Sequence, residues 1–170
     1  MRLCLTLAWM SLAFSLAPSL LAQTTGDDLL RWRGWYREAT TADGAATMAQ
    51  RMAIERNTRA DLANDPMAQG FLAVAELMIA DHAWNPVDKL SQFLDWQPEL
   101  EASLAARPGD PDLAFLRLGV QSHAPALLNY SSALQADRSF VEAGLASGHW
   151  REDPTHADFV RDFLLYLKSL

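Results

Sequence analysis

Residues 65–125 read DPMAQGFLAVAELMIADHAWNPVDKLSQFLDWQPELEASLAARPGDPDLAFLRLGVQSHAP and contain three of the chain's four Asp-Pro or Asn-Pro pairs. Aspartate and asparagine are good helix N-caps because their side-chain oxygen accepts a backbone N–H that has no partner inside the helix. Proline suits the first helical position, where no N–H is needed. An apolar stretch of helical length follows each pair, so the pattern predicts packed helical hairpins. The pairs are Asp65-Pro66, Asn85-Pro86, Asp110-Pro111 and Asp153-Pro154.

Helical spacing of apolar residues predicts further helices on either side of this stretch. A first helix is expected over residues 29–39, and a second from Thr40-Thr41 to about residue 57. Ser131-Ser132 are expected to cap a sixth helix, and Pro98 is expected to kink or split the fourth. No segment alternates apolar and polar residues as a strand does. We therefore expect an all-α single domain of six or seven helices, built as antiparallel hairpins.

The N-terminal residues 1–22 have the pattern of a secretory signal peptide. Arg2 supplies the positive charge, an apolar run follows, and Ala22 is a small residue suited to cleavage before Gln23. An uncleaved membrane anchor is the alternative, although the apolar run is shorter than the ~20 residues that a spanning helix needs. The pattern predicts a signal peptide over 1–22, an all-helical domain over 23–170, and export to the periplasm or the exterior.

The net charge and the cysteine content limit the kinds of partner and the kinds of reaction that the sequence predicts. The chain has a formal net charge of −7, and loss of the signal peptide removes one arginine and no acid. An acidic surface repels nucleic acid and anionic lipid, so neither is an expected partner. Cys4 is the only cysteine and lies in the predicted signal peptide. Disulfides, thiol catalysis and thiolate metal ligands are therefore not expected after cleavage.

Residues 100–119 carry a motif at a helix junction. Pro108 ends one predicted helix, and the next has the bulky Phe115 followed by Leu118-Gly119. This resembles the junction between two tetratricopeptide (TPR) repeats, where a small residue lets paired helices cross closely. The chain also resembles small exported bacterial helical proteins of unassigned function. The resemblance implies a TPR-like, right-handed helical array, although the Asp/Asn-Pro pairs are 20, 25 and 43 residues apart rather than a regular 34.

Three charged residues lie within or beside apolar runs, where an unpaired charge is costly. We predict a structural ion pair that fixes the relative positions of the helices and is formed by Glu76, Arg117 and Asp137. In the alternative, Arg117 lies at the base of a pocket for an anionic group. That candidate binding site consists of Trp84, Arg117, Gln121, His123, Asn129 and Tyr130.

The histidines and the arginines of the first helix are the residue types that could carry chemistry. His149 and His156 are seven residues apart with Glu152 and Asp153 between them, which is an unspecific spacing for a metal site. A polar loop before the last helix is the favoured interpretation. No HExxH pair and no GxSxG elbow is present. The first helix is expected to expose a solvated face formed by Arg31, Arg33 and Arg37.

These patterns predict no catalytic residue, no metal and no cofactor. The leading hypothesis is an exported, non-enzymatic binding or scaffold protein with a groove between helical hairpins. Its partner is expected to be another protein or peptide of the cell envelope, and the oligomeric state stays open. One alternative is a hydrolytic or metal-dependent enzyme that uses His123 or the His149/His156 region. Another is a carrier of a small apolar ligand, based on the content of Trp, Met and Phe.

Overall fold

A computed structural model describes residues 24–169, which form seven α-helices and one 3-10 turn and contain no strand in that range. The all-α prediction of six or seven helices is confirmed. The predicted signal peptide over 1–22 lies outside the described residues. The helices are α1 (Gly26–Glu38), α2 (Ala42–Thr58), α3 (Pro66–His82), α4 (Pro86–Ala106), α5 (Pro111–His123), α6 (Leu134–Ser147) and α7 (Pro154–Ser169), with the 3-10 turn at Ala126–Leu128.

All four Asp-Pro or Asn-Pro pairs begin a helix, as predicted. In each pair the proline is the first helical residue. The preceding side chain accepts a hydrogen bond from a backbone N–H in the first turn, at 2.7 Å for Asp65, 3.0 Å for Asn85, 3.0 Å for Asp110 and 3.0 Å for Asp153. The short-range chemistry of these pairs therefore sets the starts of α3, α4, α5 and α7.

Three predicted details of the helices differ from the structure or are settled only in part. Pro98 does not split the fourth helix, because α4 continues through it as one helix of 21 residues. Since Pro98 and Leu94 are exposed, the carbonyl that loses its helical partner can bond water instead. Helix α6 begins at Leu134 without a side-chain cap, so Ser131-Ser132 do not cap it. Helix α1 begins three residues before the predicted start, because Thr25 and Asp28 form a reciprocal capping box.

The buried apolar residues form two clusters that share helix α5. The larger cluster lies among α1 to α5, with Trp32 of α1 against Phe71 of α3 at a ring distance of 5.6 Å. The smaller one lies among α5, α6 and α7 around Phe115 and Trp150. Tyr36 packs against both clusters, and burial raises its pKa to about 12. The two clusters thus form one continuous interior.

Helices that are neighbours in sequence pack against each other, most closely α3 with α4, α2 with α3 and α5 with α6. Helix α1 contacts both α2 and α7, so the last helix returns to the first. Helix α3 is buried on several sides, as its apolar composition indicates. The TPR-like, right-handed arrangement stays a prediction. No helix within residues 24–169 has the length and apolar character needed to cross a membrane.

Candidate functional site

Arg117 of α5 is the centre of an ion-pair cluster that joins α4, α5 and α6. Its Nε and Nη2 donate to the two carboxylate oxygens of Asp137 at 2.7 and 2.6 Å. Its Nη1 donates to Glu101 of α4 at 2.7 Å. The Tyr130 hydroxyl donates to the other oxygen of Glu101, and its ring packs edge-on against Phe93 at 5.4 Å. All three nitrogen positions of the guanidinium therefore already have a carboxylate partner.

The electrostatics of this cluster are those of a closed structural site. Asp137 is fully buried, so its charge depends on Arg117 for compensation. The hydrogen bond to Asp137 is the largest contribution that raises the pKa of Arg117. Burial, together with the hydrogen bond to Glu101, raises the pKa of the Tyr130 hydroxyl well above its ordinary value. These four groups are bonded to one another, so the cluster offers no free group for reaction.

The predicted ion pair is corrected at one position. Arg117 and Asp137 are joined, but Glu76 takes no part, and no ion pair to it is found within residues 24–169. Glu101 fills that place because α4 brings its carboxylate to the one nitrogen of Arg117 that Asp137 leaves free. Glu76 is half-buried on α3, and burial raises its pKa.

The other residues of the predicted anion pocket do not converge. Gln121 is buried and its Oε1 has no hydrogen-bond partner, whereas His123 is exposed at the end of α5. Asn129 is exposed in a left-handed conformation with φ 48°. Trp84 is 97% exposed in the turn between α3 and α4. The pocket interpretation is therefore not supported by this geometry, since Arg117 is also occupied.

A second cluster, centred on Asp112 of α5, was not predicted from the sequence. Arg33 of α1 donates to both carboxylate oxygens of Asp112, from Nε at 2.8 Å and Nη2 at 2.6 Å. The Trp150 indole N–H donates to Oδ1 at 2.9 Å, and His149 Nε2 lies 2.8 Å from Oδ2. Asp112 is 1% exposed. One buried carboxylate thus links α1, α5 and the connection between α6 and α7.

Burial alone would raise the pKa of Asp112, but its donors outweigh that effect. Hydrogen bonds from His149 and Arg33, with a smaller contribution from Trp150, hold the pKa of this carboxyl well below its ordinary value. Neighbouring Asp110 has a raised pKa because of burial and the nearby charge of Asp112. Asp112 is therefore ionised and fully paired at neutral pH.

Asp110, Asp112 and His149 are the group in residues 24–169 whose geometry could hold a metal, since one ligand atom from each lies within 4.8 Å of the others. Each oxygen of Asp112 already accepts two hydrogen bonds, and the cation of Arg33 is one of the donors. A metal would have to displace these partners and approach a buried guanidinium. The donor set therefore favours a structural network over a metal site.

The alternative of a metal site at His149 and His156 is not supported, because His156 is outside that group. His156 is 1% exposed, with its ring close to those of Phe115, Trp150 and Phe159. Its Nδ1 has no hydrogen-bond partner, and burial lowers its pKa to about 4. His156 is a neutral part of the interior at pH 7. The prediction of a polar loop around it is wrong for this residue.

The arginines of α1 are also corrected. Each of them pairs with a carboxylate outside α1, so they do not form a solvated face. Arg31 binds Glu55 of α2 at 2.8 Å, Arg33 binds Asp112 of α5, and Arg37 lies 3.2 Å from Asp153 before α7. The spacing of the arginines, with Arg33 and Arg37 on one side of α1 and Arg31 on another, was the available signal. Their partners are 24, 79 and 116 residues away.

Helix α4 has an apolar outer face that no other described element covers. Trp84 is 97% exposed, Val87 71%, Leu94 59% and Leu90 42%. Leu100 and Leu104, nearer the C-terminal end of α4, are buried on the side of the helix that adjoins this apolar face. Because a helix turns by about 100° per residue, Val87, Leu90 and Leu94 lie within an arc of about 60°. We call Trp84, Val87, Leu90 and Leu94 the α4 stripe.

Two surface hollows were considered for a small ligand. One, of about 340 Å³, is lined by charged groups that include Arg33, His149, Arg151 and Glu152. The other, of about 470 Å³, is lined by Arg56, Gln69, Asp95, Trp96 and Glu99. Charged linings do not favour the predicted alternative of an apolar-ligand carrier.

Comparison with known proteins gives no relative from which a role could be transferred. A scan against protein-family models and searches of curated proteins and of solved structures find no match to this chain. The candidate sites therefore rest on their own geometry.

Proposed function

We propose that this chain is an exported, non-enzymatic binding protein that holds another polypeptide on the outer face of α4. The single observation that carries the proposal is the α4 stripe. Exposed apolar residues are normal when scattered, but here they follow one another along one side of one helix. Such a face loses contact with water when an apolar surface docks on it, which favours association.

The composition of the stripe suits a protein partner. Trp84 is almost fully exposed, and tryptophan is enriched among the residues that dominate binding energy at protein interfaces. Val87, Leu90 and Leu94 are spaced three and four residues apart, which matches the spacing along one face of a partner helix. The stripe therefore supports a partner that is itself helical.

The polar clusters support a role without catalysis. Asp112 and Arg117 are the centres of two charged networks in the described part of the chain, and each is bonded on every side by protein groups. A catalytic group needs a free lone pair or proton directed at a substrate. Neither centre has one, so both are assigned to stability.

The sequence supports the cellular setting of this proposal. Residues 1–22 have the pattern of a cleaved signal peptide, which favours a periplasmic or secreted protein. The TPR-like resemblance favours the same class of function, because arrays of helical hairpins commonly present surfaces to other proteins. Recovery of the chain from the extracytoplasmic fraction with Gln23 as its first residue tests this part of the proposal.

Photo-crosslinking in the producing cell tests the binding function. A photoreactive side chain in place of Leu90 is expected to give adducts whose mass increase equals that of a second polypeptide. Leu165 on α7 is the matched control, because it is also an exposed leucine at 62% but lies outside the stripe. Adducts of equal yield at both positions, or none at Leu90, would contradict the proposal.

A further inference from the structure

A row of carboxylates runs along α4 on a different side of the helix from the α4 stripe. Residues 81–106 contain five acids and one lysine. Lys89 pairs with Asp81 at 3.7 Å, and Glu101 pairs with Arg117. Asp88, Asp95 and Glu99 are exposed and have no ion-pair partner within residues 24–169. On the helix they fall within an arc of about 40°, and about 80° separates this arc from the nearest residue of the apolar arc.

The surface hollow of about 470 Å³ adjoins this acidic row. Asp95 and Glu99 line it together with Trp96 and Gln69, whose amide donates to Glu99 at 2.8 Å. Carboxylates beside an indole ring are a setting that binds guanidinium and ammonium groups. Arg56 also lines the hollow, but its Nη2 donates to the Ala63 carbonyl and it forms no ion pair in the described chain. Arg56 keeps its positive charge, so the two carboxylates leave the hollow with a net charge of −1.

The charge of this surface argues against two other occupants. If a second copy docked through the same face with the two α4 helices antiparallel, the two-fold interface would place the acidic rows of both copies on the same side. An anionic lipid surface would be repelled by the same carboxylates. A partner that covers the stripe and also compensates the row must carry positive charge beside an apolar face.

We infer that the α4 stripe and its acidic row together recognise a basic amphipathic helix of a partner protein. Apolar side chains of that helix cover Val87, Leu90 and Leu94, and a lysine or arginine beside them enters the hollow at Asp95 and Glu99. This inference rests on the proposed binding function and adds the chemistry of the partner. Apolar contact supplies affinity, and charge complementarity supplies selectivity.

Designed peptides provide the probe for this inference. Three helical peptides share one leucine face and carry lysine, glutamine or glutamate at the flanking positions. Binding of each labelled peptide to the purified chain is followed by fluorescence anisotropy. The lysine peptide is expected to bind about tenfold or more tightly than the glutamate peptide at low salt, and this ratio should shrink at high salt because added ions screen exposed charges.

Two sets of variants separate the two contributions. Asp95→Asn with Glu99→Gln should weaken the lysine peptide about tenfold and leave the glutamine peptide unchanged. Glu152→Gln with Asp162→Asn is the matched control, since it removes two exposed carboxylates without ion-pair partners in the described chain but far from α4 in sequence. Leu90→Gln with Leu94→Gln should weaken all three peptides, because it removes the shared apolar contact.

The outcomes distinguish failure of the inference from failure of the proposed function. If all three peptides bind equally and the leucine variants abolish binding, the inference of a basic partner is wrong, whereas the proposed binding function of the α4 stripe is retained. If the leucine variants change nothing, the face itself is wrong. If no peptide binds and the chain sediments as a dimer that the leucine variants convert to a monomer, the occupant is a second copy and the inference is overturned.

Discussion

The guanidinium of Arg33 and the carboxylate of Asp112, 79 positions apart in sequence, face each other across two buried hydrogen bonds of 2.8 and 2.6 Å. Trp150 and His149 complete the partners of Asp112. This arrangement fastens the first helix to the fifth and both to the connection before the last helix. Because all four donors point at one carboxylate, its removal would affect every one of these contacts.

Replacing Asp112 is expected to destabilise the fold severely. Asp112→Ala leaves the buried charge of Arg33 without compensation, which costs about 3–5 kcal/mol in comparable pairs. Urea unfolding followed by circular dichroism measures the loss. The double variant Arg33→Met with Asp112→Leu should recover much of it, because no unpaired charge remains. A double variant no more stable than Asp112→Ala would contradict the assigned role.

Arg117 is expected to behave as a structural residue rather than as an anion receptor. Arg117→Ala leaves the fully buried Asp137 unpaired and should lower the free energy of unfolding by about 3–5 kcal/mol. Arg161→Ala is the control and should have no measurable effect, because Arg161 and its partner Asp158 are exposed. Inorganic phosphate should leave the melting temperature of the unmodified chain unchanged. A phosphate-dependent rise that Arg117→Ala removes would restore the predicted anion pocket.

His156 should make the fold sensitive to mild acid. Burial lowers its pKa to about 4 in the folded chain, against an ordinary value near 6.5. Between these values the unfolded chain binds a proton that the folded chain does not, so stability falls as pH falls. The contribution of this residue is expected to be about 2 kcal/mol between pH 7 and pH 5.

The pH effect is measured by urea unfolding at both pH values. The ring lies near the charges of Asp112, Arg33, Arg37 and Asp153, which also influence it. His156→Phe retains an aromatic ring beside Phe115 and should reduce the difference between the two pH values. His123→Phe at the exposed end of α5 should leave that difference unchanged. Equal pH dependence in the unmodified chain and in His156→Phe would refute this assignment.

Two glycines in helices are expected to respond to alanine in opposite directions. A Cβ added to Gly144 would lie 2.8 Å from Cβ of Pro111 and 3.2 Å from the Trp150 ring, both in rigid groups. Gly144→Ala should therefore destabilise the fold by about 1–3 kcal/mol. A Cβ on Gly34 meets only the end of Arg37 at 3.9 Å, so Gly34→Ala should stabilise α1 by up to about 1 kcal/mol. Thermal melting compares the stability of the two variants. A Gly144→Ala variant more stable than the unmodified chain would contradict the prediction, because α5 and α6 would then be able to move apart at Gly144.

Local sequence was sufficient to predict the helices. Asp65-Pro66, Asn85-Pro86 and Asp110-Pro111 begin helices because capping and the fixed φ of proline act within one turn. Whether Pro98 splits α4 could not be decided from the sequence, because it depends on whether the freed carbonyl faces water. That outcome is decided by which side of α4 packs inward, and the side is a tertiary property.

Part of the candidate site was also accessible from sequence. Arg117 and Asp137 lie 20 residues apart in adjoining helices. Because each lies within or beside an apolar run, the sequence indicates that the two charges pair with each other. Glu101 was missed as the second partner, and Glu76 was chosen because it interrupts an apolar run. An interruption shows that a carboxylate is near the interior but does not show which helix lies opposite.

The sequence by itself determined the all-α class, the starts of four helices and the acidic character of the chain, because each depends on local backbone chemistry or on composition. The tertiary structure alone decided that Arg33 meets Asp112, that His156 is buried and that the stripe on α4 is exposed. The physical reason is the same in all three cases. Burial and pairing depend on which helix faces which, and that is set by the packing of the whole chain rather than by any one segment.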